Sequence, residues 1–150
     1  MKIAQLMTKD LKTCRQGDML DAAVRLMWDC DIGSLPVVDD TGQLVGMITD
    51  RDACMAAFLQ RQALHDIAIT GAMTKHPVSC TTDDNDRDVA ALMAKHKVRR
   101  IPVVDDAQRP IGMVSLNDLA IAMVQNREIP SNQVASTLAA ICEHRANPTT

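Results

Sequence analysis

Displaced by 66 residues, the chain aligns with itself without a gap. Met7-Thr8-Lys9 falls on Met73-Thr74-Lys75, Cys14 on Cys80, Asp18 on Asp84, and Leu26-Met27 on Leu92-Met93. The register holds through Leu35-Pro36-Val37-Val38-Asp39-Asp40 over Ile101-Pro102-Val103-Val104-Asp105-Asp106, through Gly46-Met47-Ile48-Thr49 over Gly112-Met113-Val114-Ser115, and through Asp52 over Asp118. A period this long, present in only two copies, implies a pair of small domains packed on each other and not a solenoid. At 150 residues, each half alone buries little surface, so a shared core is expected.

The pattern of apolar residues changes period in a fixed order within each copy. Thr13-Cys14 is a short strand, Asp18 stands as an N-cap, and Leu20, Ala23, Val24 and Met27 recur at helical spacing. Leu35 to Val38 is a buried β-branched strand that stops at the turn signal Asp39-Asp40-Thr41-Gly42, and Leu44 to Thr49 is the return strand. Asp50-Arg51-Asp52 opens a second helix. The second copy repeats this with a strand at 78–80, a helix from Asp84, strands at 101–104 and 111–115, and a helix from Asn117. The fold class is therefore α/β (α+β), two β-α-β-β-α repeats. The divisions are repeat 1 over 1–62, a connection over 63–72, repeat 2 over 73–126, and a C-terminal helix and tail over 127–150. That helix starts at Pro130-Ser131 with Val134, Leu138 and Ile141 on one face, to pack on repeat 1 or on a partner.

Several function classes fall away. A net charge of -3 gives no basic field for nucleic acid or an anionic membrane, and Trp28 and Phe58 are the only aromatic residues on which bases could stack. No apolar run reaches membrane-spanning length, and the first residues lack a signal pattern, which predicts a cytoplasmic protein. Five cysteines without a CxxC pair, and four scattered histidines, argue for reduced thiols and against a metal site. Cys14 and Cys80 are expected to be small buried residues of the first strand of each copy. No nucleophile elbow, phosphate-binding loop or dinucleotide fingerprint is present, so the chain is not read as an enzyme.

The residues with chemistry to offer lie where a strand gives way to a helix. Helix N-termini carry unpaired N–H groups and attract anions. Thr49 and Ser115 can donate to a phosphate there, and Asp52 and Asp118, one turn on, can accept from ribose hydroxyls. Ser/Thr-x-x-acid is also a common helix start, in which the same residues simply cap the helix, and both readings stand at this point.

The duplicated combination of hydrophobic-Pro-Val-Val-Asp, a turn, and Gly-hydrophobic-hydrophobic-Thr/Ser-x-x-Asp resembles the paired cystathionine β-synthase domain, the CBS-pair module, over roughly residues 3–124. The resemblance implies two repeats related by pseudo-two-fold symmetry, with their three-stranded sheets in contact and two clefts between them. It further implies a homodimer of such pairs, and regulatory binding of the adenosine part of AMP, ADP, ATP, NAD or S-adenosylmethionine, with no cofactor required. The two positions before each hydrophobic-Pro pair often touch phosphate in that family. They are Gly33-Ser34 in copy one and Arg99-Arg100 in copy two, and around them Asp29 and Asp31 stand against Lys95 and Lys97.

The site that copy two serves through Arg99, Arg100, Ser115 and Asp118 is therefore expected to take the more highly charged ligand, since Arg binds phosphate in a bidentate fashion. Arg51 is a second phosphate candidate. Walls for an adenine come from Ile32, Leu35 and Pro36 with Val98, Ile101 and Pro102, and backbone from the strands around Thr13 and Ser79. The resulting expectation is a non-enzymatic nucleotide sensor acting in trans on an unidentified protein partner. The alternative is a ligand-free interaction module on the same fold.

Overall fold

A computed structural model describes residues 1–126 and 129–143. They form six α-helices and two sheets: α1 (Ile3–Leu6), β1 (Cys14–Arg15), α2 (Leu20–Cys30), β2 (Ser34–Val38), β3 (Leu44–Thr49), α3 (Asp50–Gln60), β4 (Thr74–Lys75), α4 (Asp86–His96), β5 (Arg100–Val104), β6 (Pro110–Ser115), α5 (Leu116–Asn126) and α6 (Ser131–Cys142). The β-α-β-β-α order expected of each copy is present in copy one, and in copy two with its first strand reduced to a bridge. Among the described residues no helix is long and apolar enough to cross a membrane.

The first sheet has the order β1-β2-β3-β4. β1 runs parallel to β2 because α2 carries the chain across between them, and β2 and β3 form an antiparallel hairpin with Ser34 opposite Thr49. The second sheet keeps only the hairpin β5-β6, and its outer strands shrink to single bridges, Cys80 with Val103 and Thr8 with Met113. The strand expected at 78–80 is that one bridge.

The described residues form two compact units, one of residues 1–9, 78–103, 112–126 and 129–143, the other of residues 10–77 and 104–111. The units cut across the sequence copies. Thr8 pairs with Met113 of copy two, and by the same 66-residue relation Thr74 pairs with Met47 of copy one. Each copy's leading segment thus completes the other copy's sheet. Buried apolar side chains form one cluster in each unit. The exchanged segments make this possible: Ile3 enters one core, and Ile67 and Ile69, from the connection, enter the other.

Three local expectations are corrected. Asp18 does not cap α2, because its carboxylate turns back to accept from the Arg15 N–H at 2.9 Å, and Met19 precedes the helix without a side-chain bond. Asp84 does the same with Thr81 at 2.7 Å, so α4 starts two residues later, capped by Asn85, whose side chain accepts from the Asp88 N–H. Helix α6, expected against repeat 1 or a partner, packs on α4 and α5 in the copy-two unit. Val134 and Ile141 face that core, but Thr137 is buried where Leu138 was expected, and Leu138 is exposed. The tail after Glu143 lies outside the described residues.

Candidate functional site

The end of each first helix sets up the site. α2 closes with Asp31 in the left-handed region (φ 53°) and the Ile32 N–H reaching back to the Met27 carbonyl at 3.0 Å. α4 closes identically on Lys97 (φ 54°), with Val98 bonded to Met93 at 3.1 Å. This six-to-one bond is the Schellman ending, and it reverses the chain into the next strand. The reversal brings Gly33 and Arg99 against the start of the following helix. The Asp50 N–H donates to the Gly33 carbonyl at 3.1 Å, and the Leu116 N–H donates to the Arg99 carbonyl at 2.9 Å.

The strand-to-helix junctions themselves are capping boxes. Thr49 Oγ1 accepts from the Asp52 N–H at 3.0 Å, while Asp52 accepts from the Thr49 N–H at 3.0 Å. Ser115 Oγ accepts from the Asp118 N–H at 3.2 Å, and Asp118 accepts both from the Ser115 N–H at 2.7 Å and from its hydroxyl at 2.6 Å. The four side chains are half-buried. Capping therefore holds these groups in place. An ionised carboxylate has about four lone-pair sites, so further acceptor capacity remains on each Asp.

The other expected residues fall into two sets, each inside one unit. In the unit of copy one, Ser34 is buried opposite Thr49, Gly33 is half-buried, and Arg51, Ile32 and Thr13 are exposed. In the unit of copy two, Arg99 and Arg100 are exposed, and Val98 and Ser79 are half-buried. Leu35 and Ile101 are fully enclosed in the two cores, and Pro36 and Pro102 are also buried, which withdraws these four from the surface. The carbonyls of Pro36 and Pro102 receive the Cys14 and Cys80 thiols at 3.8 and 3.9 Å. Burial, with Asp18 or Asp84 adding to it, pushes both thiols up to about 12.

One residue was missed. Asp50 was read only as the opening of a helix, yet its Oδ2 lies 3.3 Å from where a Cβ on Gly33 would stand. The signal available was its partner in the 66-residue alignment, Leu116, an apolar residue where copy one has a charge.

The CBS domain family matches this sequence twice, at residues 3–58 and 65–125. The chain belongs to the CBS domain family. YlbB of Bacillus subtilis is 39% identical over 131 residues, spanning 87% of both chains. Among solved structures, the CBS domain pair of MJ0100 in complex with 5′-methylthioadenosine and S-adenosyl-L-methionine superposes with a TM-score of 0.74 at 28% identity, covering 82% of this chain and 99% of that one. CBSX2 in complex with AMP gives a TM-score of 0.74 at 28% identity, covering 85% and 98%. Relatives named as enzymes align differently: the inosine-5′-monophosphate dehydrogenase of Methanocaldococcus jannaschii is 33% identical, but the chain spans only 23% of its length.

Proposed function

We propose that this CBS pair is a non-enzymatic regulatory module that binds adenosine-containing ligands at its two strand-to-helix junctions and signals in trans to a partner protein. The observation that carries the reading is the duplicated junction: a hydroxyl and a carboxylate at one helix start, at positions 49 and 52, recur at 115 and 118 with the same capping geometry. The start of helix α5 favours a phosphate at the copy-two junction, while the carboxylates at both junctions keep acceptor sites for ribose hydroxyls. The AMP, S-adenosylmethionine and 5′-methylthioadenosine carried by the CBS pairs above support the adenosine class. Arg99 and Arg100, both exposed beside the copy-two junction, direct AMP, ADP, ATP or NAD to that side.

A thermal-shift series with AMP, ADP, ATP, NAD and S-adenosylmethionine, and GTP as control, tests the reading. A ligand at a hundred times its dissociation constant adds about 2.7 kcal/mol. In a chain of this size that raises Tm by roughly 5–10 °C. The rise is expected to be adenosine-selective and to be lost in Asp118→Ala or Asp52→Ala, each read against its own ligand-free Tm.

The capping boxes favour a second reading. They use the Thr49, Asp52, Ser115 and Asp118 groups internally, so a ligand-free interaction module is consistent with the same geometry. No shift with any ligand selects it. A homodimer belongs to both readings, supported by the large exposed apolar residues Phe58 on α3 and Val124 on α5, which are equivalent positions of the two copies.

A further inference from the structure

The two junctions share a backbone and differ in charge. Gly33 and Arg99 make the same bond to the first amide of the next helix, to Asp50 and Leu116 respectively. In copy two that helix residue, Leu116, is 6% exposed and belongs to the core, and the strand-side residue is an exposed arginine. In copy one the strand-side residue is glycine, and an exposed carboxylate, Asp50, lies over it with Oδ2 3.3 Å from the missing Cβ. The helix caps repeat the contrast, with Asp31 in one and Lys97 in the other.

A second observation marks the copy-one junction as a place for a ligand. Ser34 is only 8% exposed, and its hydroxyl makes no hydrogen bond among the described residues. No side-chain oxygen there is both fully enclosed and unpartnered, so the Ser34 hydroxyl is not sealed from solvent. It stands opposite Thr49, whose own proton is also unclaimed, since Thr49 Oγ1 only accepts from Asp52. At copy two the matching hydroxyl, Ser115, is already spent on Asp118. Copy one thus offers two free hydroxyls beside a carboxylate. Arg51 is the cation of this segment, but it sits one residue round the helix, about 100° away from Asp50.

Resting on the adenosine reading above, we propose that the copy-one junction takes an adenosine whose 5′ substituent is a thioether or sulfonium and discriminates against 5′-phosphate. Asp50 repels a phosphate and attracts a sulfonium, while Ser34 and Thr49 serve as neutral donors.

The test uses the full chain with Arg99→Ala, Arg100→Ala and Asp118→Ala together, which disables the copy-two junction. Calorimetric titration of this protein with S-adenosylmethionine, 5′-methylthioadenosine and AMP is expected to give AMP binding at least about tenfold weaker, a gap that Asp50→Asn and Asp50→Leu narrow severalfold. Equal or tighter AMP binding, or a gap unchanged by either Asp50 variant, overturns the proposal. If the triple variant does not fold, the wild type decides: saturating ATP should leave one S-adenosylmethionine site per chain open, and full competition between the two overturns it. Wild type that binds no adenosine compound removes the underlying reading, whereas adenosine binding with the wrong preference removes only this one.

Discussion

Met73 presses on Gly46: a Cβ added to that glycine would lie 2.5 Å from the Met73 Sδ and 3.0 Å from the Thr74 carbonyl. Copy two has the same relation, with Met7 Sδ at 2.8 Å and the Thr8 carbonyl at 3.0 Å from a Cβ on Gly112. These are the two places where the exchanged leading segments lie across a sheet, so close that only glycine fits. Gly46→Ala and Gly112→Ala are expected to destabilise by about 1–3 kcal/mol, the usual penalty for overpacking. Gly17→Ala, where nothing lies within 4 Å, should stay within about 0.5 kcal/mol of the parent. Urea unfolding of the three variants decides it. A neutral Gly46→Ala would mean that the segment around Thr74 is not held as described.

Capping and ligand binding at the junctions separate by experiment. Thr49→Ala and Ser115→Ala each remove a side-chain cap and should lower stability by about 0.5–2 kcal/mol without ligand. Ser115→Ala should be the more damaging, because it also takes a hydroxyl bond from Asp118. Chemical denaturation in the absence of nucleotide measures this directly. Equal losses would show that the extra bond contributes nothing.

The order of strands and helices was legible because each element carries its own period. The Pro-Val-Val strands, the Asp-rich turns and the Thr/Ser-x-x-Asp starts all lie where the residues indicated, and Asp39 accepts from Thr41 and Gln43 as a turn former should. What escaped was set by tertiary pairing. Nothing in the composition of residues 1–9 says that Thr8 will join Met113 of the other copy. Asp18 was read as a cap and Asp84 as a helix start because both carboxylates do accept a backbone N–H, but each takes it from three residues back, at Arg15 and Thr81, and not from the helix. The candidate site was legible as residue types at a spacing. The carboxylate of Asp50 over Gly33 was not, since it depends on a helix ending of αL geometry.

Thiol chemistry should divide four of the five cysteines by burial. Cys14 and Cys80 are buried, and desolvation pushes both up to about 12, so almost no thiolate exists at neutral pH. Cys54 on α3 and Cys142 on α6 are exposed. Iodoacetamide at pH 8 with peptide mass spectrometry should label Cys54 and Cys142 first, and Cys14 and Cys80 only after denaturation. Early labelling of Cys80 would show that its strand opens in the native state.

Acid should weaken the copy-two unit through Asp86. This residue is 5% exposed at the start of α4, and it accepts from the Met1 amine at 2.5 Å and from Gln133 of α6 at 2.9 Å. Burial opposes its charge, but the bonds from the amine and Gln133 prevail and hold its carboxyl below the usual range. A depressed folded pKa stabilises the fold above the unfolded value, near 4 for a carboxylate, and the contribution disappears as pH falls through the folded value. Asp86→Asn should therefore melt below the wild type at pH 7, with the difference in Tm closing as pH drops below about 4. Asp39 and Asp105, also lowered by bonds within their turns, add to the acid sensitivity of both proteins and leave that difference unaffected. Melting curves from pH 7 to 3 test it. A Tm gap that stays constant across the range would assign the Asp86 contribution to packing instead of charge.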